Sequence, residues 1–308
     1  MLELPSEIKN PIKLADWMEV LALILPDKNV SYGDLSSALR RTGAYELNEE
    51  NPEESSSLQD ERIDEMCGEV FDELNRREKS ASHGYPFLVQ GSLLELKTHS
   101  TWEDYVAYVF CLCLSYFGSL DDGVVHFPRR LFESLSKFAA ERFIDGEAVK
   151  LSPPREELPT SFEDAINEIC LRIGEGDGYR KQRKDSRIRP QDDRVDIIAW
   201  KHFSDQLPSK LIIFGQCASN KNWEGWRPKL IELQPREFCE QWMQKNPSPI
   251  PIKSFFVPHR IDYGRWDYAA RYAGILFDRC RIAFWAHGAS EFEPQRDWVR
   301  KSCLSSLL

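Results

Sequence analysis

Two apolar runs in the C-terminal half each contain one polar residue whose side chain could take part in chemistry. The run "VDIIAW" contains Asp196, and the run "KLIIFGQCA" contains Gln216. A carboxylate or an amide beside a buried strand is costly unless hydrogen bonds or a cation compensate it. A divalent metal ion with oxygen ligands is a natural compensation, so the two residues predict a metal site if the strands bring them together.

The two runs are expected to pair as a β-hairpin through the connection 201–210. Side chains alternate along a strand, so Asp196 shares a face with Trp200, and Gln216 shares a face with Phe214. In that pairing Asp196 approaches Gln216 at one end of the sheet. One acid and one amide would then converge at the same edge.

The elements around these strands predict an α/β domain over residues 159–308. The proline-rich segment "LSPPREELPT" precedes it and marks the domain boundary. A helix in "SFEDAINEICLRIG" begins at the N-cap Ser161. The remaining expected elements are helices around Arg227–Gln244 and Trp266–Asp278, a strand in "IKSFFVP" and a final strand in "RIAFWA". Their order predicts a mixed sheet.

The N-terminal half predicts a helical region that resembles a winged helix over residues 1–98. Helices are expected in "IKLADWMEVLALIL", "SYGDLSSALRR" and "RIDEMCGEVFDELNRREK", and "YPFLVQGSLLELK" predicts a hairpin around Gln90-Gly91. The acidic segment "ELNEENPEESSSLQDE" between the second and third helices is typical of a linker. Residues 99–150 are expected to form a helical connector, so the whole chain combines α+β and α/β organisation.

Length and composition place the chain among globular proteins of about two domains. It has 308 residues, of which 42% are hydrophobic. We found no window that approaches a membrane span and no signal peptide in "MLELPSEIKN", so a cytoplasmic location is expected. The eight cysteines contain no CxxC pair, which favours reduced core thiols.

The negative charge is concentrated in the N-terminal half. Residues 1–98 contain 10 Lys and Arg against 20 Asp and Glu, whereas residues 159–308 contain 24 against 20. Phosphate binding depends on local Lys and Arg. The C-terminal half is therefore the part expected to bind DNA. The acidic candidate recognition helix near Glu61–Lys79 favours a protein-docking or a purely structural role for the N-terminal half over DNA recognition.

Glu163 on a helix, Asp196 at the start of a strand and Gln216 on the next strand resemble the PD-(D/E)xK restriction-endonuclease-like nucleases. The resemblance covers roughly Ser161–Val257. It implies that Asp196 binds Mg²⁺ or Mn²⁺ directly and that Gln216 occupies the family's acid-or-glutamine position. It also implies that the backbone carbonyl of Cys217 completes the site.

The resemblance implies metal-assisted hydrolysis of a phosphodiester bond. Glu168 competes with Glu163 for the position on the helix, since both lie on its less apolar side. The family's lysine belongs two residues after the glutamine, where this chain has Ala218. Lys221 is the nearest substitute. Lys201 is less suitable, because it lies five residues from Asp196, roughly 16 Å along an extended strand.

A basic stretch directly precedes the predicted site, in "RKQRKDSRIR". It is a candidate phosphate clamp, and a solvated loop is the structural alternative. Its cationic residues are Arg180, Lys181, Arg183, Lys184, Arg187 and Arg189.

Two classes of function follow from these features. The first is a metal-dependent DNA endonuclease, the nuclease subunit of a bacterial defence or restriction complex. Its N-terminal half would dock a protein such as an ATPase or a DNA-sensing complex, with no membrane partner. The second is a non-catalytic adaptor with a degenerate nuclease fold, which Ala218 favours.

Overall fold

The computed structural model describes residues 2–43, 52–98, 100–118, 127–181, 193–220 and 222–304. The chain divides into two units, Met1–Asp122 with His287–Leu308, and Gly123–Ala286. This division differs from the expected boundaries, because residues 99–150 are shared between the units and the last residues return to the first. Within the described ranges, no helix is both long and apolar enough to cross a membrane.

The N-terminal part of the first unit combines α-helices with a small antiparallel sheet. In chain order its elements are α1 (Pro11–Ile24), β1 (Asn29–Ser31), α2 (Tyr32–Arg41), α3 (Pro52–Ala81), β2 (Phe87–Gln90), β3 (Leu93–Leu96) and α4 (Val106–Phe117). The strands lie in the order β1-β3-β2. Gln90 pairs with Leu93 across the turn, which confirms the predicted hairpin.

The acidic segment between α2 and α3 is not wholly a linker. Residues 44–51 lie outside the described residues, but α3 already begins at Pro52, so 52–61 belong to the helix. Proline is favoured in the first turn because its missing N–H has no helical partner there. The acidic composition therefore gave no sign of the start of α3. Inner positions further along this helix, such as Ile63, are buried.

A buried ionic network connects α1 and α3. The Arg77 guanidinium donates to Glu73 Oε1 at 2.9 Å, Asp16 Oδ1 at 2.8 Å and Glu19 Oε2 at 2.8 Å. It also donates to the backbone oxygen of Ile12 at 2.9 Å. Burial alone would lower the pKa of Arg77, but the charges of Glu19 and Asp16 raise it well above its usual value. The first unit therefore depends on a buried cation.

The second unit is built on a five-stranded mixed sheet, as the sequence predicts. Its elements are α5 (Phe127–Ile144), β4 (Glu147–Lys150), α6 (Phe162–Ile173), β5 (Ile197–Lys201), β6 (Leu211–Cys217), α7 (Trp223–Trp226), α8 (Pro235–Trp242), β7 (Ile252–Phe256), α9 (Tyr263–Ala273), β8 (Ile275–Phe277) and α10 (Arg279–Ala286). The strand order is β4-β5-β6-β7-β8. The first three strands are antiparallel and the last three are parallel.

Several local predictions for the second unit are confirmed, but the helix expected around Trp266–Asp278 ends at Ala273 and is followed by β8, and the strand expected in "RIAFWA" does not form. The hairpin of β5 and β6 forms, and the Ser161 side chain caps α6 by accepting a hydrogen bond from Asp164 N at 3.1 Å. The run "RIAFWA" is helical in α10, and the last strand is β8. A short apolar run fits either a buried strand or a buried helix, and periodicity alone does not separate them.

The two faces of this sheet are covered by different helices. Helix α5 packs against β4 and β5, and α10 packs against α5. The other face forms a core with the inner side of α6 and with α8, in which Val149, Leu151, Ile198 and Trp200 are buried. Because side chains alternate along β4, Lys150 lies on the opposite face, the one that α5 covers.

The final described residues belong to the first unit. Helix α11 (Glu293–Trp298) continues as a π-helical turn. The Trp298 ring lies 5.2 Å from the Phe110 ring of α4, edge to face. Arg300 Nε donates to Glu103 Oε1 at 2.9 Å. These contacts fix the returning segment to the unit in which the chain begins.

Candidate functional site

The ends of three strands meet at one edge of the five-stranded sheet. Strands β4 and β6 run in the same direction and β5 runs between them in the opposite direction. The carboxyl ends of β4 and β6 therefore lie beside the start of β5. This edge contains Ser152 after β4, Asp196 before β5, and Gln216 with Cys217 at the end of β6.

Asp196 is buried, with 3% of its surface exposed, and is fixed between its two neighbouring strands. Its backbone N–H donates to Gly215 O and its carbonyl accepts from Leu151 N, both at 2.8 Å. Its Oδ2 accepts a hydrogen bond from Cys217 N at 2.7 Å. A backbone amide therefore stabilises the charge of this carboxylate.

A glutamate from α5 lies in the same environment. Glu133 is buried, and its Oε2 accepts a hydrogen bond from Ser152 Oγ at 2.6 Å. Its Oε1 accepts from Arg129 Nε at 3.1 Å. We call Arg129, Glu133, Ser152, Asp196 and Cys217 the α5 cluster. Its members come from one helix and from the ends of three strands.

The electrostatics of the α5 cluster show that its charges act on one another. Burial alone would lower the pKa of the Arg129 guanidinium, but the charges of Glu133 and Asp196 raise that pKa above its usual value. Burial, then the charges of Asp196 and Glu133, raise the pKa of the Cys217 thiol well above its usual value. The thiol is therefore neutral, and the cluster contains two acids facing one cation.

Gln216 has a side-chain oxygen that no described residue satisfies. Its Nε2 donates to Glu232 Oε2 at 3.1 Å, which fixes the orientation of the amide, because only the N–H end can face a carboxylate. The opposite end, Oε1, is buried and accepts no hydrogen bond from the parts of the chain that the structure describes. A buried, unsatisfied amide oxygen costs about 1–3 kcal/mol. A lone pair of this oxygen could therefore bind a cation.

The oxygen donors at this edge have the chemistry of a hard divalent cation. They are the carboxylates of Asp196 and Glu133, the amide oxygen of Gln216 and the carbonyl of Cys217, and Mg²⁺ prefers oxygen ligands. In the described parts of the chain, no three His, Cys, Asp or Glu side chains are already gathered as a metal site. A metal site at this edge would therefore also have to use amide or backbone oxygens.

No protein-family model, curated protein or solved structure matches this chain. The candidate site therefore stands on its own geometry.

Glu163 and Glu168, the two glutamates that the sequence suggested for the helix position, lie on α6 and do not belong to the α5 cluster. Glu163 is exposed in the first turn of α6, where its charge helps to raise the pKa of Tyr179, after the larger effect of burial. Glu168 Oε1 accepts a hydrogen bond from Arg172 Nε at 2.7 Å along the same helix. The helix carboxylate that lies near Asp196 is Glu133.

Most of the predicted phosphate clamp lies outside the described residues, namely Arg183, Lys184, Arg187 and Arg189, and so does Lys221. Arg180 is described, and its guanidinium donates to Met243 O at 2.8 Å and Gln244 O at 3.2 Å. It therefore connects two loops. Lys181 is exposed. Lys201 lies at the other end of β5, where it pairs with Asp145 at 2.8 Å.

Lys150 is a cation that the sequence did not single out. It lies on β4 opposite Ile197, the residue after Asp196, and is 7% exposed. Lysine is rarely buried without a partner, yet Lys150 forms no hydrogen bond or ion pair with the described residues.

The segment "EAVK" has too few apolar residues to predict a strand. For Glu133, the available signal was a charge at helical spacing with the buried Ser136 and Ala140.

Proposed function

We propose that this protein is a metal-dependent phosphodiesterase that cleaves DNA at the α5 cluster. The observation that carries the proposal is the convergence of Asp196 with Glu133 around Arg129 and Cys217. Two buried carboxylates at one sheet edge are suitable ligands for Mg²⁺ or Mn²⁺.

The element order supports the nuclease resemblance with a changed helix assignment. Glu133 on α5 precedes β4, Asp196 begins β5 and Gln216 lies on β6. That order provides the acid on a helix, the aspartate at the start of a strand and the glutamine on the next strand. In this proposal Glu133 replaces Glu163 and Glu168 as the acid on the helix.

The protein's own residues would orient the phosphate and hold charge at fixed positions. A bound Mg²⁺ or Mn²⁺ would supply charge stabilisation at the phosphate and activation of water. The Cys217 N–H keeps the Asp196 carboxylate in place, and Ser152 does the same for Glu133. The Arg129 side chain is 47% exposed, so its guanidinium can contact a phosphate and stabilise developing negative charge.

Lys150 supplies the charge that Ala218 cannot. It lies on the face of the sheet that α5 covers, and its register partner is adjacent to Asp196. Lys221 remains a proposed second source. Either lysine would act together with Arg129, which already faces both acids of the α5 cluster.

Removal of the metal ion tests this function directly. The purified full-length protein is expected to nick or linearise plasmid DNA in Mg²⁺ or Mn²⁺ and to lose that activity completely in EDTA. A thermal melt should show stabilisation by Mn²⁺, because a ligand that binds only the folded state raises its stability. A protein that neither cleaves DNA nor responds to either metal ion would contradict the proposal.

Lys150→Met is expected to reduce turnover by up to about 10²-fold with little change in DNA affinity. The loss stays at the lower end of the range for a preorganised charge because Arg129 remains in place. Lys201→Met is the matched control, since Lys201 lies on the adjacent strand and pairs with Asp145. Equal rates in the two variants would exclude Lys150 from the mechanism.

The first unit supports a docking role for a protein partner. Its order of α1, β1, α2, α3 and a hairpin is consistent with a winged helix. The exposed residues on α3 include Glu61, Asp64, Glu65, Glu69 and Asp72. These carboxylates would repel a phosphate backbone. A protein with a basic surface, such as an ATPase or DNA-sensing subunit of a bacterial defence complex, is the proposed partner.

A non-catalytic adaptor is the second candidate function. Ala218 at the position of the family's lysine favours it. An adaptor would bind its partner and DNA equally well with or without metal ions, whereas a nuclease would cleave only when the metal is present. Cleavage in Mg²⁺ therefore separates the two candidates.

A further inference from the structure

Helix α9 exposes a row of aromatic side chains. Tyr268 is 44% exposed and Tyr272 is 40% exposed. Residues four apart lie on the same side of a helix, and these two rings are 4.9 Å apart. Trp223 at the start of α7 extends the row, because its ring lies 5.9 Å from that of Tyr268. Three flat side chains are thus adjacent on one surface.

An arginine lies beside this row. The guanidinium of Arg265 is 5.2 Å from the centre of the Trp223 ring, and Arg265 precedes Tyr268 by one helical turn. Arg265 is exposed and forms no ion pair with a described residue. We call Trp223, Arg265, Tyr268 and Tyr272 the stacking surface. Its cation is available to a phosphate group.

The stacking surface belongs to the same sheet edge as the α5 cluster. Trp223 follows the end of β6, and α9 follows the end of β7, which is parallel to β6. A hydrogen bond between the His259 ring and Asn220 O joins the two connecting loops. Beneath them Ala218, Trp226 and Ala269 share one core. The surface is therefore held rigidly beside the edge that contains Asp196.

We propose that the stacking surface binds a single-stranded nucleic-acid segment next to the cleavage centre. This inference rests on the proposed nuclease function. Nucleic-acid bases stack on aromatic rings whatever their sequence, and an interleaved arginine meets the backbone phosphates. Aromatic residues are also enriched in protein interfaces. The free cation and the position at the edge of a phosphodiesterase centre favour nucleic acid over a protein partner.

The test is binding of fluorescently labelled oligothymidine to the full-length protein in EDTA, where cleavage is absent. Tyr268→Ala/Tyr272→Ala is expected to weaken binding by at least about 10-fold, because alanine removes both aromatic rings on which the bases would stack. Tyr268→Phe/Tyr272→Phe keeps both rings and should bind as the wild type does. Tyr268→Leu/Tyr272→Leu keeps apolar area without a flat face and should resemble the alanine variant.

Phe203→Ala is the matched control, because Phe203 is 59% exposed and follows the opposite end of β5. It should leave oligothymidine binding unchanged. Arg265→Gln should weaken binding and reduce its salt dependence. Wild-type affinity in the alanine variant, or no oligothymidine binding by the wild type, would overturn the inference.

The outcomes also separate this inference from the proposed function. Oligothymidine binding that needs Tyr268 and Tyr272, in a protein that cleaves no DNA, would support the stacking surface and reject the nuclease. Cleavage in Mg²⁺ with binding that is indifferent to both tyrosines would do the reverse. Thermal melts of each variant confirm folding before either conclusion is drawn.

Discussion

Asp196→Asn and Glu133→Gln are each expected to lower metal-dependent DNA cleavage by about 10²–10³-fold, the usual cost of losing one preorganised charged group. Both substitutions keep the shape of the side chain. The asparagine oxygen can still accept from Cys217 N, and the glutamine oxygen can still accept from Ser152 Oγ. The substitutions remove the charge and, at Glu133, the acceptor of the Arg129 Nε hydrogen bond, so plasmid cleavage under single-turnover conditions reports on the carboxylate charges and on that ion pair.

Alanine is a poorer choice at Asp196. It would remove the acceptor of the Cys217 N–H and leave that buried amide unsatisfied, at a cost of about 1–3 kcal/mol. A loss of activity could then come from a shifted strand. The double variant Asp196→Asn/Glu133→Gln should be no slower than the slower single variant, because residues that act as one unit are not additive.

Glu163→Gln and Glu168→Gln are the matched controls on α6. Glu163 is exposed, and the ion pair of Glu168 with Arg172 is partly solvated, so neither change should alter the rate or the melting temperature. Wild-type cleavage by Glu133→Gln together with slow cleavage by Glu163→Gln would assign the role of the helix acid to Glu163 on α6. Wild-type rates in Asp196→Asn would reject the whole site.

Arg77→Leu is expected to destabilise the first unit by about 3–5 kcal/mol, because it leaves buried carboxylates without their cation. Arg77 is 0% exposed, and its guanidinium donates to Asp16, Glu19 and Glu73. Urea unfolding followed by circular dichroism should show the loss as a lower midpoint. Arg77→Lys should recover little of it, because an ammonium cannot reproduce the planar fork of donors.

Arg76→Leu is the control for this experiment. Arg76 is the neighbouring residue on α3 and also pairs with Glu73, but its side chain is 46% exposed. An exposed pair is worth at most about 1 kcal/mol. If the two leucine variants unfold at the same urea concentration, the buried network does not stabilise the first unit. Partial recovery in Arg77→Leu/Asp16→Asn/Glu19→Gln would show that the carboxylates cause the loss.

Local sequence patterns were sufficient for elements whose signals lie within a few residues. Alternation predicted the pairing of β5 and β6, Gly91 predicted the hairpin turn, and Ser161 predicted the start of α6. Such signals depend on the backbone preferences of neighbouring residues. The run "RIAFWA" had no such signal, because an apolar run of this length fits both a strand and a helix.

The residues that converge at the candidate site were only partly predictable. The sequence alone determined that Asp196 and Gln216 would approach one edge of a sheet, because a hairpin joins them through a short connection. Tertiary structure decided that Glu133 lies near Asp196. Glu163 is closer in the sequence, but β4 pairs with β5 across more than forty intervening residues and places α5, with Glu133, against the start of β5. A pairing across that distance is selected by the packing of whole faces, which no local pattern of residues encodes.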